Sequence, residues 1–86
     1  MLFDRTERFK RAYRKLESAE QELVKKALRQ LMEDRNHPGL RAKRIQGTDG
    51  IWEMRAGRDI RVTFEIVNDV AVLRNVGHHD ETLRQP

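Results

Sequence analysis

The apolar residues of this chain change period once, around "DRNHPGL" at residues 34–40, and that change excludes most folds open to 86 residues. Before it, Phe9, Ala12, Tyr13 and Leu16 recur at i, i+3, i+4 and i+7. Leu23, Val24, Ala27, Leu28, Leu31 and Met32 form a second stripe of the same kind. That spacing lays apolar side chains along one face of a helix. After the change the period is two. In "IRVTFEIV", Ile60, Val62, Phe64 and Ile66 take one face, and Arg61, Thr63, Glu65 and Val67 take the other. Helices followed by strands predict an α+β domain in which a helical layer covers one face of a sheet.

The punctuation of the chain refines this. Asp4 is placed to cap the first helix, with Glu7 completing a capping box; Ser18 and Gln21 repeat the pattern for the second. One or two residues between the helices make an αα-hairpin. The second helix is expected to end near Asp34, before His37-Pro38-Gly39. "MLF" can form a short opening strand, and the polar "RAKRI" reads as an edge strand. Turns are expected at Gln46 to Gly50, at Gly57-Arg58-Asp59 and at Asn68-Asp69, bounding "IWEMRA", "IRVTFEIV" and "VAVLRNV". The last of these is apolar on both faces apart from Arg74 and Asn75, which predicts a central or doubly covered strand. The expected fold is a single domain over residues 1–86. Its N-terminal two-helix hairpin packs on one face of a mainly antiparallel sheet of four or five strands. The opposite face is expected to be open and to carry Arg61, Glu53 and Arg55.

Composition narrows the function. The chain has no cysteine, so neither disulfides nor thiolate metal sites are available. No segment approaches ~20 consecutive apolar residues and the N-terminus lacks a signal-peptide core, so a soluble cytoplasmic protein is expected, with no membrane partner. The net charge is +4, and basic and acidic residues are spread evenly along the chain. A basic patch for a polyanion therefore has to be assembled by folding.

The ending "NVGHHDETLRQP" carries the chain's adjacent histidines, His78 and His79, followed by Asp80. Neighbours on an extended strand point to opposite faces and do not readily chelate one ion together. Neither Asp80 nor His37 completes a known ligand spacing, and no metal or other cofactor is expected. No phosphate-binding glycine loop is present, and the lone serine, Ser18, is read as a helix cap. What remains is general acid–base chemistry by histidine, with arginines to stabilise anionic charge, a set suited to an RNA phosphodiester. The plainer account of the same residues is a solvated turn and a solvated sheet face.

The run "HPGLRAKRIQG…GIWEMRAGRDIRVTFEIVNDVAVLRNVGHHD" resembles the RelE/ParE superfamily of type II toxin–antitoxin toxins, and most of all the RelE-like mRNA interferases. The resemblance spans nearly the whole chain. It rests on "IWEMRAG", "RDIRVTF" and "VGHHD" in that order and spacing. It implies a curved sheet and a ribosome-dependent mRNA endonuclease that inhibits translation, cutting without a metal in the A site of the 70S ribosome. It also implies a cognate antitoxin as partner, acidic or amphipathic, wrapped around the domain. By resemblance Arg61 contacts phosphate and the transition state, and His79 is the general acid. Glu53 is a candidate base, and Lys43, Arg44, Arg55, Arg58 and His78 are candidate RNA contacts. Two departures stand out. Leu83 replaces a tyrosine that many relatives carry, and the chain reaches Pro86 without the C-terminal helix of some members. The alternative expectation is a ParE-like gyrase inhibitor, or an inactive binding protein of the same fold.

Overall fold

The computed structural model describes residues 2–86. Strand β1 (Leu2–Arg5) leads into the helical hairpin α1 (Glu7–Arg14) and α2 (Ser18–Glu33). A single 3-10 turn (Pro38–Leu40) precedes β2 (Lys43–Arg44), β3 (Trp52–Arg55), β4 (Ile60–Val67) and β5 (Val70–His78). The chain closes with α3 (His79–Arg84). The five strands form one sheet in the order β1-β5-β4-β3-β2, with β1 parallel to β5 and every other pair antiparallel. The α+β fold and the N-terminal hairpin are as the sequence predicts.

The helix starts differ from expectation. Asp4 lies within β1, and Thr6 caps α1 instead. The Thr6 hydroxyl accepts from the Phe9 N–H at 3.1 Å and donates to the Leu73 carbonyl at 2.9 Å, so one side chain starts the helix and ties it to β5. Helix α2 is capped by Glu17, not Ser18, and Glu20 rather than Gln21 reaches back to the Glu17 N–H at 3.0 Å. Gln21 bonds the Tyr13 carbonyl at 3.0 Å and locks the two helices together.

The core forms where the hairpin meets the sheet: Phe9, Val24, Ala27 and Leu31 against Met54, Val62, Phe64, Leu73 and Val76, with Leu40 contributed by the 3-10 turn. Leu73 and Val76 are three residues apart, yet both are buried on this face. A bulge makes this possible. Thr63 pairs with Asn75 but Phe64 pairs with Leu73, leaving Arg74 as the extra residue. The hairpin at Asn68-Asp69 closes with both residues at positive φ, the geometry that suits right-twisted strands.

The second face of the sheet is open only in part, because the chain does have a C-terminal helix. Helix α3 folds back over β4 and β5 and buries Thr82. The tail beyond it is held down by side chains of the sheet. Asn75 donates to the Gln85 carbonyl at 3.1 Å, and Thr63 and Arg74 donate to the Pro86 carbonyl at 2.9 and 3.2 Å. Arg74 is also paired with Glu65. Close packing of α3 requires glycine at position 77: a Cβ there would stand 2.8 Å from the Thr82 hydroxyl oxygen. "HDETLR" shows no apolar stripe, which is why its period betrays no helix. Its charges nevertheless suit one, with Asp80 and Glu81 in the first turn and Arg84 in the last. Among the described residues no helix is long and apolar enough to cross a membrane.

Candidate active site

Strand register assembles the site. Lys43 stands opposite Glu53, Glu53 opposite Thr63, and Arg55 opposite Arg61. Residues directly opposite each other project to the same side. Lys43, Glu53, Arg55 and Arg61 thus share the face away from the helical hairpin, while Trp52, Met54, Val62 and Phe64 turn towards the core. The backbone N–H of His79 donates to the Asp59 carbonyl at 2.8 Å, which sets the first residue of α3 beside the start of β4. Arg41 enters from the exit of the 3-10 turn in a left-handed conformation, φ 47°. Together Arg41, Lys43, Glu53, Arg55, Arg61 and His79 line a cleft of about 310 Å3.

Arg61 is the anchored member, only 6% exposed. Its Nη1 donates to the carbonyls of Arg58 and Ile60 at 3.1 and 3.0 Å, which holds the guanidinium in place. Among the described residues no carboxylate lies within ion-pair distance of it. Burial, and then the neighbouring Arg55 charge, lower its pKa; Glu53 and Asp59 offset part of this. Two like charges directly opposite on adjacent strands are unfavourable. An anion seated between Arg55 and Arg61 would relieve that repulsion.

His79 is half exposed, with Nδ1 2.9 Å from Asp80 Oδ1. The hydrogen bond from His79, and then its charge, lower the Asp80 carboxyl pKa. With a carboxylate accepting at Nδ1, the ring's Nε2 is the nitrogen left to exchange a proton. Chemically, the cleft offers one carboxylate that can accept a proton, one imidazole that can donate one, and four cations around them.

Five of the sequence candidates therefore meet in one place: His79, Arg61, Glu53, Lys43 and Arg55. Three do not. Arg44 lies on the other side of β2, its guanidinium carbon 5.6 Å from the centre of the Trp52 ring. Arg58 serves the cleft through its carbonyl. His78 turns away to the hairpin, with Nε2 3.2 Å from Glu20 Oε2 on α2. His37 caps the 3-10 turn by accepting from the Gly39 N–H at 3.0 Å. Arg41 is the lining residue that the sequence reading passed over. It stands two before Lys43 in "RAKRI", and strand alternation alone would have placed both on one face. Among the described residues no group of three or more His, Asp or Glu side chains gathers as a metal site.

No protein-family model matches the chain, and no curated protein matches it in sequence. Solved structures do match in fold. The chain superposes on the intact RelBE toxin–antitoxin complex of E. coli with a TM-score of 0.72 at 21% identity, covering 92% of this chain and 96% of that one. On the RelB-RelE complex of Methanococcus jannaschii the TM-score is 0.75 at 18% identity, covering 100% of both chains. On a YoeB/ParE toxin from Agrobacterium tumefaciens it is 0.77 at 13% identity, covering 92% and 99%. The chain has the RelE-like toxin fold that the sequence resemblance implies.

Proposed function

We propose that this chain, built on the RelE toxin fold, is the toxin of a type II toxin–antitoxin pair and cleaves mRNA in the ribosomal A site. The observation that carries the reading is the composition of the cleft: Glu53 and His79 are both present, and every other lining residue is a cation, Arg41, Lys43, Arg55 or Arg61. The solved RelE structures of this fold include toxin–antitoxin complexes, which supports an antitoxin as partner.

The chemistry follows from the residue types. Glu53 takes the proton of a ribose 2′-hydroxyl. The freed oxygen attacks the adjacent phosphorus and the bond to the 5′-oxygen breaks, leaving a cyclic phosphate on one fragment. His79 gives the departing 5′-oxygen its proton from Nε2. Charge accumulates on the phosphoryl oxygens as the bond forms. Arg61, already fixed by two carbonyls, meets that charge with little reorganisation. Arg55, Lys43 and Arg41 add to the field.

The test is mapping of mRNA ends after induction. Wild type is expected to give codon-dependent cuts in translated messages, and His79→Ala to slow cutting by roughly 10²–10⁴-fold, the usual worth of a positioned acid. If wild type yields DNA damage and no cuts in mRNA, the gyrase-inhibitor alternative replaces this reading.

A further inference from the structure

The opposite side of the same sheet edge carries a second constellation that the cleft chemistry leaves unused. Where Lys43 and Glu53 face the cleft, their chain neighbours Arg44 and Trp52 face the other way and pair across β2 and β3. Trp52 lies at the margin of the core face. One side of its ring stacks on Phe64, with centroids 6.3 Å apart and planes at 18°. The Arg44 guanidinium lies over the ring as well, 5.6 Å from its centre. Trp52 is half-buried, and Arg44, Arg35 and Asn36 are exposed. Together with Gly50 and Ile66 they line a hollow of about 440 Å3.

A tryptophan braced by Phe64 and capped by an exposed cation is a stacking platform. Bases stack on aromatic rings whatever their sequence, and cations beside the ring hold the phosphates. Asn36 supplies an amide that can bond a base edge. Strand β2 is two residues long and forms the outer edge of the sheet, so no further strand separates the hollow from the cleft. A strand of RNA crossing that edge meets Lys43 on one side and Arg44 on the other.

We infer that Trp52, with Arg44, Arg35 and Asn36, forms a base-stacking subsite for single-stranded RNA leaving the cleavage cleft. In the free chain Arg44 covers the ring; in the complex an unpaired base takes that place, and Arg44 and Arg35 turn to its phosphates. The inference rests on the nuclease reading only for the source of the RNA.

Trp52 is the chain's single tryptophan, so its emission reports on this site alone. The probe is a short oligoribonucleotide with 2′-O-methyl sugars, which lacks the nucleophile and is not cut. Its counterpart is an abasic strand of the same length and charge. The base-bearing strand is expected to quench Trp52 emission to saturation, and the abasic strand to bind without quenching. Arg35→Ala and Arg44→Ala, both at exposed positions, should each weaken binding by roughly 3- to 10-fold while leaving the final quench intact. Absence of binding, saturated binding with unchanged emission, or equal quenching by the abasic strand would each overturn the subsite. A quench that persists in a chain that never cuts mRNA would sustain the subsite and remove the nuclease reading instead.

Discussion

At the scale of single residues, Arg61 concentrates the conflict between stability and function. It is a buried cation opposite another arginine, with no ion-pair partner among the described residues and backbone carbonyls as its hydrogen-bond acceptors. Replacing a poorly compensated buried charge with an apolar side chain of similar length is often neutral or stabilising. Arg61→Met is therefore expected to leave the melting temperature unchanged or to raise it. On the proposed nuclease reading, cleavage should fall by about 10²–10³-fold, because that reading makes Arg61 the fixed donor for the developing phosphoryl charge. Thermal unfolding and cleavage rates measured on the same preparation check both halves. A large loss of stability would mean that Arg61 is chiefly structural. Asp80 acts differently, since it lies in solvent and holds only the His79 ring. Its depressed carboxyl pKa means that this contact contributes above the ordinary carboxylate range and is lost as pH falls through the folded value.

At the scale of elements, the position of His79 depends on how α3 packs, and that packing depends on an absent side chain. Gly77→Ala would set a Cβ 2.8 Å from the Thr82 hydroxyl oxygen, and Thr82 is itself buried, so α3 has to shift. The expected cost is about 1–3 kcal/mol, as for other overpacked sites, with reduced cleavage because His79 moves with its helix. Thr82→Ala removes the obstructing atom. The double variant should recover part of both losses and depart from additivity, which denaturant unfolding of the four proteins would measure. Full additivity would place the strain elsewhere. This element also marks where the sequence stops being legible. The stripes of α1 and α2 and the alternation of β4 are periodic over many residues, so their faces could be read directly. Helix α3 has six residues and no stripe, and it stays in place through Gly77, Thr63, Asn75 and Arg74, contacts that no local pattern records. The bulge at Arg74 hides in the same way. It reverses the alternation midway through β5, so a strand that seems apolar on both faces buries Leu73 and Val76 on one. The cleft was mostly readable because β2, β3 and β4 keep regular register. That Arg44 faces away from the cleft was not legible, because its face depends on the parity of a two-residue strand.

At the scale of the whole molecule, the fold does what the sequence order of charges does not. Basic and acidic residues are spread along the chain with little segregation, and the net charge is only +4. Folding nonetheless gathers four cations and one carboxylate into the cleft and sends Arg44 and Arg35 to the far side of the same edge. Binding of single-stranded RNA should then be strongly salt-dependent. Each phosphate neutralised on a single strand contributes a slope of about −0.7 to log K against log salt. If the four cleft cations and Arg44 and Arg35 each meet a phosphate, the slope is expected near −4, and Arg55→Ala should make it shallower by about 0.7. Stacking on Trp52 carries no charge, so its share of the affinity should survive at high salt, where cleft binding has faded. A titration of the 2′-O-methyl strand across salt concentrations separates the two. Affinity that hardly changes with salt would mean that the cleft cations do not contact phosphate. A steep slope with no residual binding at high salt would assign the affinity to the cleft alone.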